Sequence, residues 1–412
     1  MHLYRVLPSR RRHPAPVILL AALALALPAA GVGSTLAEAI EAAVGLSLQQ
    51  ERTAAARAVA AAIRHRAGGF LAEAPAIRLK GLSDQVTGNN GNYELEAMLD
   101  LPLQGPARRA AAGKLADSLD GVAATLARRL RWETAGEVRE TAWSVALADV
   151  AREQAAAGLE AARALAATMA KREAAGESAR MDRLVAEQET GAMELDLADA
   201  MTAFDRAISR YVLLTGQPRI PEPLAEPAPA DTELPADHPL LADAQAALAE
   251  AAAERDRVGA EGRGTPVVSL GAKRTRPEYG LSADNALQLE LIVPFAGKRY
   301  NAPQLATAER AYTDRTAELH ALRRQAERDL AAARVAWRAA GEQIALAERR
   351  ARLADDALKL RRRAFELGEL DLADLLRAEE AARKARLDLA LRKAEQGHAT
   401  ARLNQALGVI PQ

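Results

Sequence analysis

The side chains best suited to acid–base or metal chemistry in this chain are its six histidines, and their spacing keeps them apart. None lies four residues from another on a predicted helix, and none sits among carboxylates at the spacing of metal ligands. They are His2, His13, His65, His238, His320 and His398. The chain has no cysteine, which excludes disulfides and thiolate ligands. It also lacks a glycine-rich loop that could cradle a nucleotide phosphate. We therefore predict no enzyme activity, no cofactor and no bound metal.

Four carboxylates, Glu94, Glu96, Asp100 and Glu290, lie in two short segments in which charged and apolar residues alternate. Alternation is the period of a β-strand, so the carboxylates of each segment share one face. They could form an acidic lumen that concentrates cations. The plainer interpretation, which we favour, is a face that is simply in contact with water.

Each of these segments is predicted to be the second strand of a β-hairpin, at residues 74–102 and 266–294. About nine residues with one apolar and one charged face suit a strand that crosses a membrane. A sheet in lipid has to close, because lipid cannot satisfy the backbone groups of an open edge. Single-chain barrels need at least about eight strands, and this chain offers only half of that number. We therefore expect several chains to share one barrel, with eight strands from a dimer or twelve from a trimer.

The elements around these hairpins occur twice, with an offset of 192 residues between the copies. The offset aligns Pro102 with Pro294 and Gly216 with Gly408. An ordered series of such matches indicates an internal duplication, with a period too long for a solenoid. The copies are residues 32–216 and 240–412, joined by the proline-rich linker 217–239.

Each copy is predicted to begin with a helical segment, from Leu36 to about Arg66 and from Leu240 to about Val258. A β-hairpin and a helical hairpin follow, the latter at residues 107–215 and 304–408. The first arm of each helical hairpin is free of proline and could extend for roughly 100 Å. In the second copy a leucine recurs every seven residues, with alanine at the alternate position. Leucine in one core position and alanine in the other predict a tightly packed coiled-coil seam. The leucines are Leu346, Leu353, Leu360 and Leu367.

A glycine followed six residues later by an aspartate marks the end of each long arm. Gly176 precedes Asp182 in the first copy, and Gly368 precedes Asp374 in the second. A reversal between helices needs a residue that tolerates left-handed φ, which is usually glycine. The aspartate then lies in the first turns of the returning helix, where the helix dipole favours negative charge.

The N-terminal segment, the net charge and the aromatic content indicate where the chain is located and which partners it can have. Residues 1–31 have the basic, apolar and small-residue order of a secretory signal peptide, which predicts export. The 55 basic and 55 acidic residues give no net charge, which argues against nucleic acid as a partner. Aromatic residues make up only 3% of the chain, so most of its apolar residues are alanine, leucine and valine. Small residues together with leucine suit close packing of helices.

The whole mature chain resembles the TolC-like outer-membrane factor family. The resemblance rests on the duplication, on the order of elements in each copy, on the glycine-to-aspartate spacing, and on the closing segment ARLNQALG at residues 401–408. It implies a mainly α fold with a small β part: a homotrimer with a twelve-stranded barrel in the outer membrane, continued by a long α-helical barrel in the periplasm. The resemblance is strongest to the cobalt–zinc–cadmium heavy-metal branch, through the hairpin segment LELIVPFAGKR.

The resemblance also implies partners and a docking site. A periplasmic adaptor protein would dock at the helical tips, and an inner-membrane pump of the resistance–nodulation–division type would supply the energy. The tip residues are Gly176, Glu177, Asp182, Gly368, Glu369, Leu370 and Asp374. We expect an exit duct for small solutes, with heavy-metal cations among the candidate substrates. Two alternatives stay open: an exit duct for type I secretion of polypeptides, and a soluble periplasmic coiled-coil or adaptor-like protein.

Overall fold

The computed structural model describes residues 35–262, 264–295 and 298–412. The predicted signal peptide lies outside these residues. Seven helices and four strands are present in this part of the chain. They are α1 (Leu36–Leu46), α2 (Gln49–Ala67), β1 (Ala76–Ser83), β2 (Tyr93–Pro102), α3 (Pro106–Ala174), α4 (Arg180–Thr215), α5 (Pro239–Glu261), β3 (Val267–Arg276), β4 (Asp284–Ile292), α6 (Lys298–Glu366) and α7 (Leu372–Ala406). The predicted mainly α fold with a small β part is confirmed.

The four strands form one antiparallel sheet in the order β1-β2-β3-β4. The two hairpins therefore join through β2 and β3, which pair from Tyr93 with Arg276 to Pro102 with Val267. Within the described chain, β1 and β4 each pair on one side only, so the sheet has two open edges. An open edge presents backbone donors and acceptors that another strand can satisfy.

The helices stand side by side, in the same order as the strands to which they are joined. Next to the sheet, α3 packs between α2 and α5, and α5 packs against α6. Farther away, α3 packs between α4 and α7, and α7 packs against α6. At 1.5 Å per residue, α3 and α6 are each about 100 Å long. The result is a wall with α2 and α4 along one edge and α6 along the other.

Two element boundaries differ from those predicted. The first helical segment, expected to be continuous from Leu36 to about Arg66, is two helices that break at Ser47. The break occurs because α1 packs on both α3 and α4, whereas α2 follows α3. Helix α6 begins at Lys298 rather than at residue 304, with Pro303 inside the helix. Proline has a helical φ, so the chain can continue through it at the loss of one backbone hydrogen bond.

The two long helical hairpins are packed mainly through alanine. On α7, Ala378, Ala382 and Ala385 are buried, and on α6 the buried residues include Ala347 and Ala351. Small side chains allow the helix axes to approach closely, as the composition indicated. A cluster of buried side chains, which includes Ile40 of α1, Val138 of α3 and Tyr211 of α4, packs these three helices together in the middle of the wall.

Candidate functional site

The two helical tips have the same backbone conformation. Gly176 has φ +74° and Gly368 has φ +77°, which is the left-handed region that favours glycine. At each tip the glycine N–H donates to the carbonyl three residues back, over 2.9 Å at Gly176 and 3.1 Å at Gly368. The next N–H, from Glu177 or Glu369, donates to the carbonyl five residues back. This pair of bonds is the Schellman ending of a helix, and it satisfies carbonyls that would otherwise lack donors.

The two aspartates occupy the third position of the returning helices. Asp182 accepts a hydrogen bond from the Ala179 N–H, over 3.3 Å, and so caps the start of α4. In α7 the capping residue is Asp371, whose carboxylate accepts the Asp374 N–H at 2.7 Å. Asp374 itself pairs with Arg377. Both returning helices therefore begin with negative charge at their N-termini, as the dipole favours.

The tips lie level with each other and share one apolar cluster. Met169 of α3, Ala186 of α4, Leu358 of α6 and Leu372 of α7 are all buried in it. Of the predicted tip residues, Glu177 and Glu369 are exposed and Leu370 is half-buried. The structure thus brings the seven predicted residues to the same end of the wall.

A groove of about 510 Å³ opens beside this cluster, between α3 and α6. The guanidinium of Arg172 lies 5.0 Å from the centre of the Phe365 ring across it. Sequence reasoning missed both residues, because the cation–π contact joins helices of different copies and no local pattern marks it.

At the other end of the molecule, the four predicted carboxylates lie on one face of the sheet, each with a basic partner. Arg78 is 3.0 Å from Asp100 and 3.5 Å from Glu290. Lys80 is 4.0 Å from Glu96, and Lys273 pairs with Glu94. Sequence reasoning missed these three bases. The strand period would have placed them on the acidic face had the register of β1 and β3 against β2 been known.

The opposite face of the sheet is apolar and more exposed. Leu79, Leu95 and Leu289 are 75%, 54% and 74% exposed, whereas Glu94 and Glu96 on the charged face are half-buried. A sheet that exposes leucines and shelters charges has the polarity of a strand layer that faces lipid on one side and water on the other.

The loops that join the strands pack on each other at the far end of the sheet. Tyr279 N–H donates to the Asn90 carbonyl at 2.8 Å, and the Arg276 guanidinium lies 4.8 Å from the Tyr93 ring centre. Gly91, with φ +90°, lets the Tyr279 ring lie directly against the backbone. Tyr93 and Tyr279 therefore lie together at this end of the sheet, both against Arg276.

Between the sheet and the tips, a polar cluster joins the two helical hairpins. Glu140 of α3 accepts from Arg402 of α7 and lies 2.9 Å from the Nε2 atom of His398. Burial raises the pKa of Glu140, but the hydrogen bonds from Arg402 and His398 outweigh it and hold the pKa below its ordinary value. In the described ranges, no group of histidine, aspartate and glutamate is arranged to hold a metal ion.

The comparisons with known proteins agree with this architecture. No family model matches the chain. No curated protein matches it either. Solved structures of bacterial outer-membrane channels match it closely in fold. The outer membrane protein VceC from Vibrio cholerae has a TM-score of 0.70 at 18% identity, over 90% of this chain and 96% of that one.

Two further structures extend the match. The CmeC outer membrane channel of Campylobacter jejuni has a TM-score of 0.69 at 12% identity, over 97% of this chain and 94% of that one. The MtrE outer membrane channel of Neisseria gonorrhoeae, in its open state, has a TM-score of 0.67 at 18% identity, over 92% of this chain and 89% of that one. The chain has the outer-membrane channel fold. The predicted resemblance to TolC-like outer-membrane factors is thereby confirmed for the fold, over nearly the whole length of the described residues.

Across residues 35–262, 264–295 and 298–412, no helix combines the length and the apolarity that a membrane span requires.

Proposed function

We propose that this chain is one subunit of an outer-membrane exit duct in a tripartite efflux system. The observation that carries the proposal is the polarity of the sheet: leucines are exposed on one face and paired charges are sheltered on the other. Such a sheet cannot lie in lipid with open edges, so β4 of one copy must pair with β1 of another. The long helical wall then continues the closed sheet into the periplasm.

Three copies are the stoichiometry that we favour. Three sheets supply twelve strands, which lies within the range of known membrane barrels. Two copies would supply eight strands, whose interior is mostly filled by side chains and leaves little room for a solute. A duct that passes solutes therefore favours the trimer.

The tips are the proposed docking site for a periplasmic adaptor. Glu177 and Glu369 are exposed there, and backbone hydrogen bonds close the helix end at both reversals. An exposed end with its backbone groups satisfied, far from the sheet, suits contact with an adaptor that joins the duct to an inner-membrane pump. A pump of the resistance–nodulation–division type is the proposed source of energy.

Small solutes are the proposed cargo, with heavy-metal cations as one candidate class. The charged face of the sheet gives no strong preference for cations, because Arg78, Lys80 and Lys273 nearly balance its four carboxylates. Selection of the substrate is therefore assigned to the pump rather than to this face.

A conductance measurement tests whether the charged face lines the duct. Arg78→Glu should shift the reversal potential in a KCl gradient towards that of a cation-selective pore. Arg274→Glu is the matched control with the same change of charge. Arg274 pairs with Leu95 on the apolar face, so this variant should leave the potential unchanged. An unchanged potential in Arg78→Glu would contradict the assignment.

A gene deletion in cells distinguishes the proposed efflux duct from a duct for polypeptides. Deletion of the gene should raise sensitivity to small toxic solutes, and the wild-type chain should restore resistance only with a resistance–nodulation–division pump present. Restored secretion of a polypeptide through an ABC exporter, without a change in solute resistance, would instead support the type I secretion alternative.

A further inference from the structure

A cavity of about 500 Å³ lies where the sheet meets the helical wall, between α2, α3 and α5. We call it the junction recess. Its polar lining comes from all three helices and from the ends of the strands: Arg66, Gln104, Arg108, Glu254, Glu261 and Thr265. A volume of this size is typical of sites for small molecules. None of the residues predicted at the tips or on the charged face of the sheet lines it.

The recess opens on the charged side of the molecule. Past the end of β2 the chain stays extended, because the Leu103 N–H donates to the Pro266 carbonyl and the Gln104 N–H to the Phe70 carbonyl, each over 2.7 Å. Side chains alternate along an extended chain. Gln104 therefore lies on the same face as Asp100, and Leu103 lies on the apolar face. In the proposed duct, solutes pass along the face to which Gln104 belongs.

One part of the recess is cationic. Arg108 is half-buried, and its guanidinium donates to the Thr265 hydroxyl at 2.5 Å and to the Glu261 backbone carbonyl at 2.6 Å. The guanidinium of Arg66 donates to the Ala72 carbonyl at 3.0 Å. All three acceptors are neutral, so these bonds leave both positive charges uncompensated. A carboxylate or another anionic group is the partner that a guanidinium binds most strongly.

Another part of the recess has an excess of negative charge. The single guanidinium of Arg257 pairs with two carboxylates, those of Glu254 and Glu261. The hydrogen bond from Arg257 lowers the pKa of Glu254, so this carboxylate is charged at neutral pH. In addition, the Oε1 atom of Gln104 is buried and has no hydrogen-bond partner in the described part of the chain. A buried acceptor without a donor is costly, and a donor on a ligand would remove that cost.

The remaining lining is apolar. Ala67 of α2 and Leu115 of α3 are buried in the wall of the recess, and Ile63 and Ala112 are half-buried beside them. A hydrocarbon or aromatic body can pack on these side chains. The recess therefore offers contacts to a positive group, to a negative group and to an apolar body.

We propose that the junction recess binds a small zwitterionic solute with an apolar body. Its anionic group pairs with Arg66 and Arg108. Its ammonium group donates to Gln104 Oε1 and lies near the carboxylates of Glu254 and Glu261. A simple anion would leave Gln104 without a donor, and a simple cation would leave both arginines without a counterion. The inference rests on the proposed function, since the duct brings solutes to this face.

Three probes with the same ring system test the charge requirement. Tryptophan is a zwitterion, indole-3-propionate carries only the negative group, and tryptamine carries only the positive group. Their dissociation constants are measured by equilibrium dialysis against the detergent-extracted wild-type oligomer at neutral pH. Tryptophan should bind about tenfold or more tightly than either of the other two, because only it makes both sets of charge-assisted bonds. Equal binding of the three probes would overturn the proposal.

Two substitutions test the two halves separately. Arg66→Met should weaken tryptophan and indole-3-propionate and leave tryptamine unchanged. Gln104→Leu should weaken tryptophan and tryptamine and leave indole-3-propionate unchanged; it removes an unpaired buried acceptor, so the fold should not be weakened. Arg57→Met is the matched control, because it makes the same change at an exposed position of α2 that does not line the recess. It should bind all three probes as the wild type does.

The outcomes separate this proposal from the proposed function. A wild-type oligomer that binds none of the three probes would overturn the solute site and leave the duct intact. A Gln104→Leu variant that weakens all three probes alike would overturn the assignment of the ammonium group to Gln104. A wild-type chain that stays monomeric in detergent would overturn the duct itself, whatever its affinity for tryptophan.

Discussion

Arg139 and Glu226 form a buried, bidentate ion pair that fixes the proline-rich linker to the middle of α3. The Nε atom of Arg139 lies 2.8 Å from Oε1 of Glu226, and its Nη2 atom lies 2.7 Å from Oε2. Their side chains are only 3% and 10% exposed. Arg139 also donates to the Gln405 side chain at 2.5 Å and to the Val409 carbonyl at 3.0 Å. One guanidinium therefore holds together both copies and the segment that connects them.

Removal of one member of this pair should be strongly destabilising. Arg139→Met leaves the Glu226 carboxylate buried without its cation, which costs about 3–5 kcal/mol. The combined variant Arg139→Met with Glu226→Leu should recover most of that loss. The exposed pair Arg128–Asp237 is the matched control, and Arg128→Met should cost less than about 1 kcal/mol. The midpoint of thermal unfolding in detergent measures the stability of all three variants. Equal decreases of the midpoint in Arg139→Met and Arg128→Met would contradict this prediction.

The glycines of α6 and its tip should respond to alanine with opposite signs. Gly368 has a left-handed φ, so Gly368→Ala should destabilise by about 1 kcal/mol. Gly341 lies within α6, where a Cβ would make an ordinary contact with Gln396. Gly341→Ala should therefore stabilise by about 0.5–1 kcal/mol. The midpoint of thermal unfolding in detergent provides the comparison, and a lower midpoint in Gly341→Ala than in Gly368→Ala would be the opposite of this expectation.

Charge reversal at both tips should separate docking from assembly. Asp182→Lys with Asp374→Lys places positive charge at two helix N-termini, at a cost of about 0.3–1 kcal/mol each. The oligomer should persist, because the sheet and the helical seams lie elsewhere, whereas adaptor-dependent resistance should be lost. Glu51→Lys, on the exposed surface of α2 far from the tips, is the control and should keep resistance. Full resistance in the tip variant would mean that these residues have only a structural role.

Stability should fall below neutral pH through His238. This side chain is buried against Trp132, with ring centres 5.1 Å apart, and its Nδ1 atom accepts the Leu240 N–H at 3.2 Å. Burial lowers the pKa of His238, so the folded state favours the neutral ring. Its contribution is fully present above the unfolded pKa of about 6.5 and is lost as the pH falls from there towards the folded pKa.

Replacement of His238 by asparagine should reduce the dependence of stability on pH. His238→Asn keeps a side chain that can cap α5 and removes the titrating ring. The difference in unfolding midpoint between pH 7.5 and about pH 5.5 should therefore be smaller in His238→Asn than in the wild type. An identical difference in the two proteins would assign the acid sensitivity to other groups.

The features that were predictable from the sequence are those fixed by local chemistry. Gly176 and Gly368 were expected to adopt left-handed φ because a helix reversal demands it, and both do. The alternation around Glu94 and Glu96 likewise placed them on one face. A period of two or of seven identifies a face of an element from the sequence alone.

The features that were not predictable depend on which faces meet. The heptad of Leu346 and Leu353 indicated a seam, but the period did not show that α7 packs on another face of α6. The pairing of Arg139 with Glu226 spans 87 residues and joins a helix to a linker without regular structure. Such contacts follow from tertiary packing, which no local pattern specifies.

In the proposed duct, several copies of this chain close one sheet and one helical wall in the outer membrane. The most direct test is the mass of the full-length protein, expressed with its N-terminal segment and extracted from outer membranes in mild detergent. We expect an assembly with three times the mass of the mature chain, present only when detergent is included. A monomer that is stable in buffer without detergent, recovered from the periplasm, would contradict it.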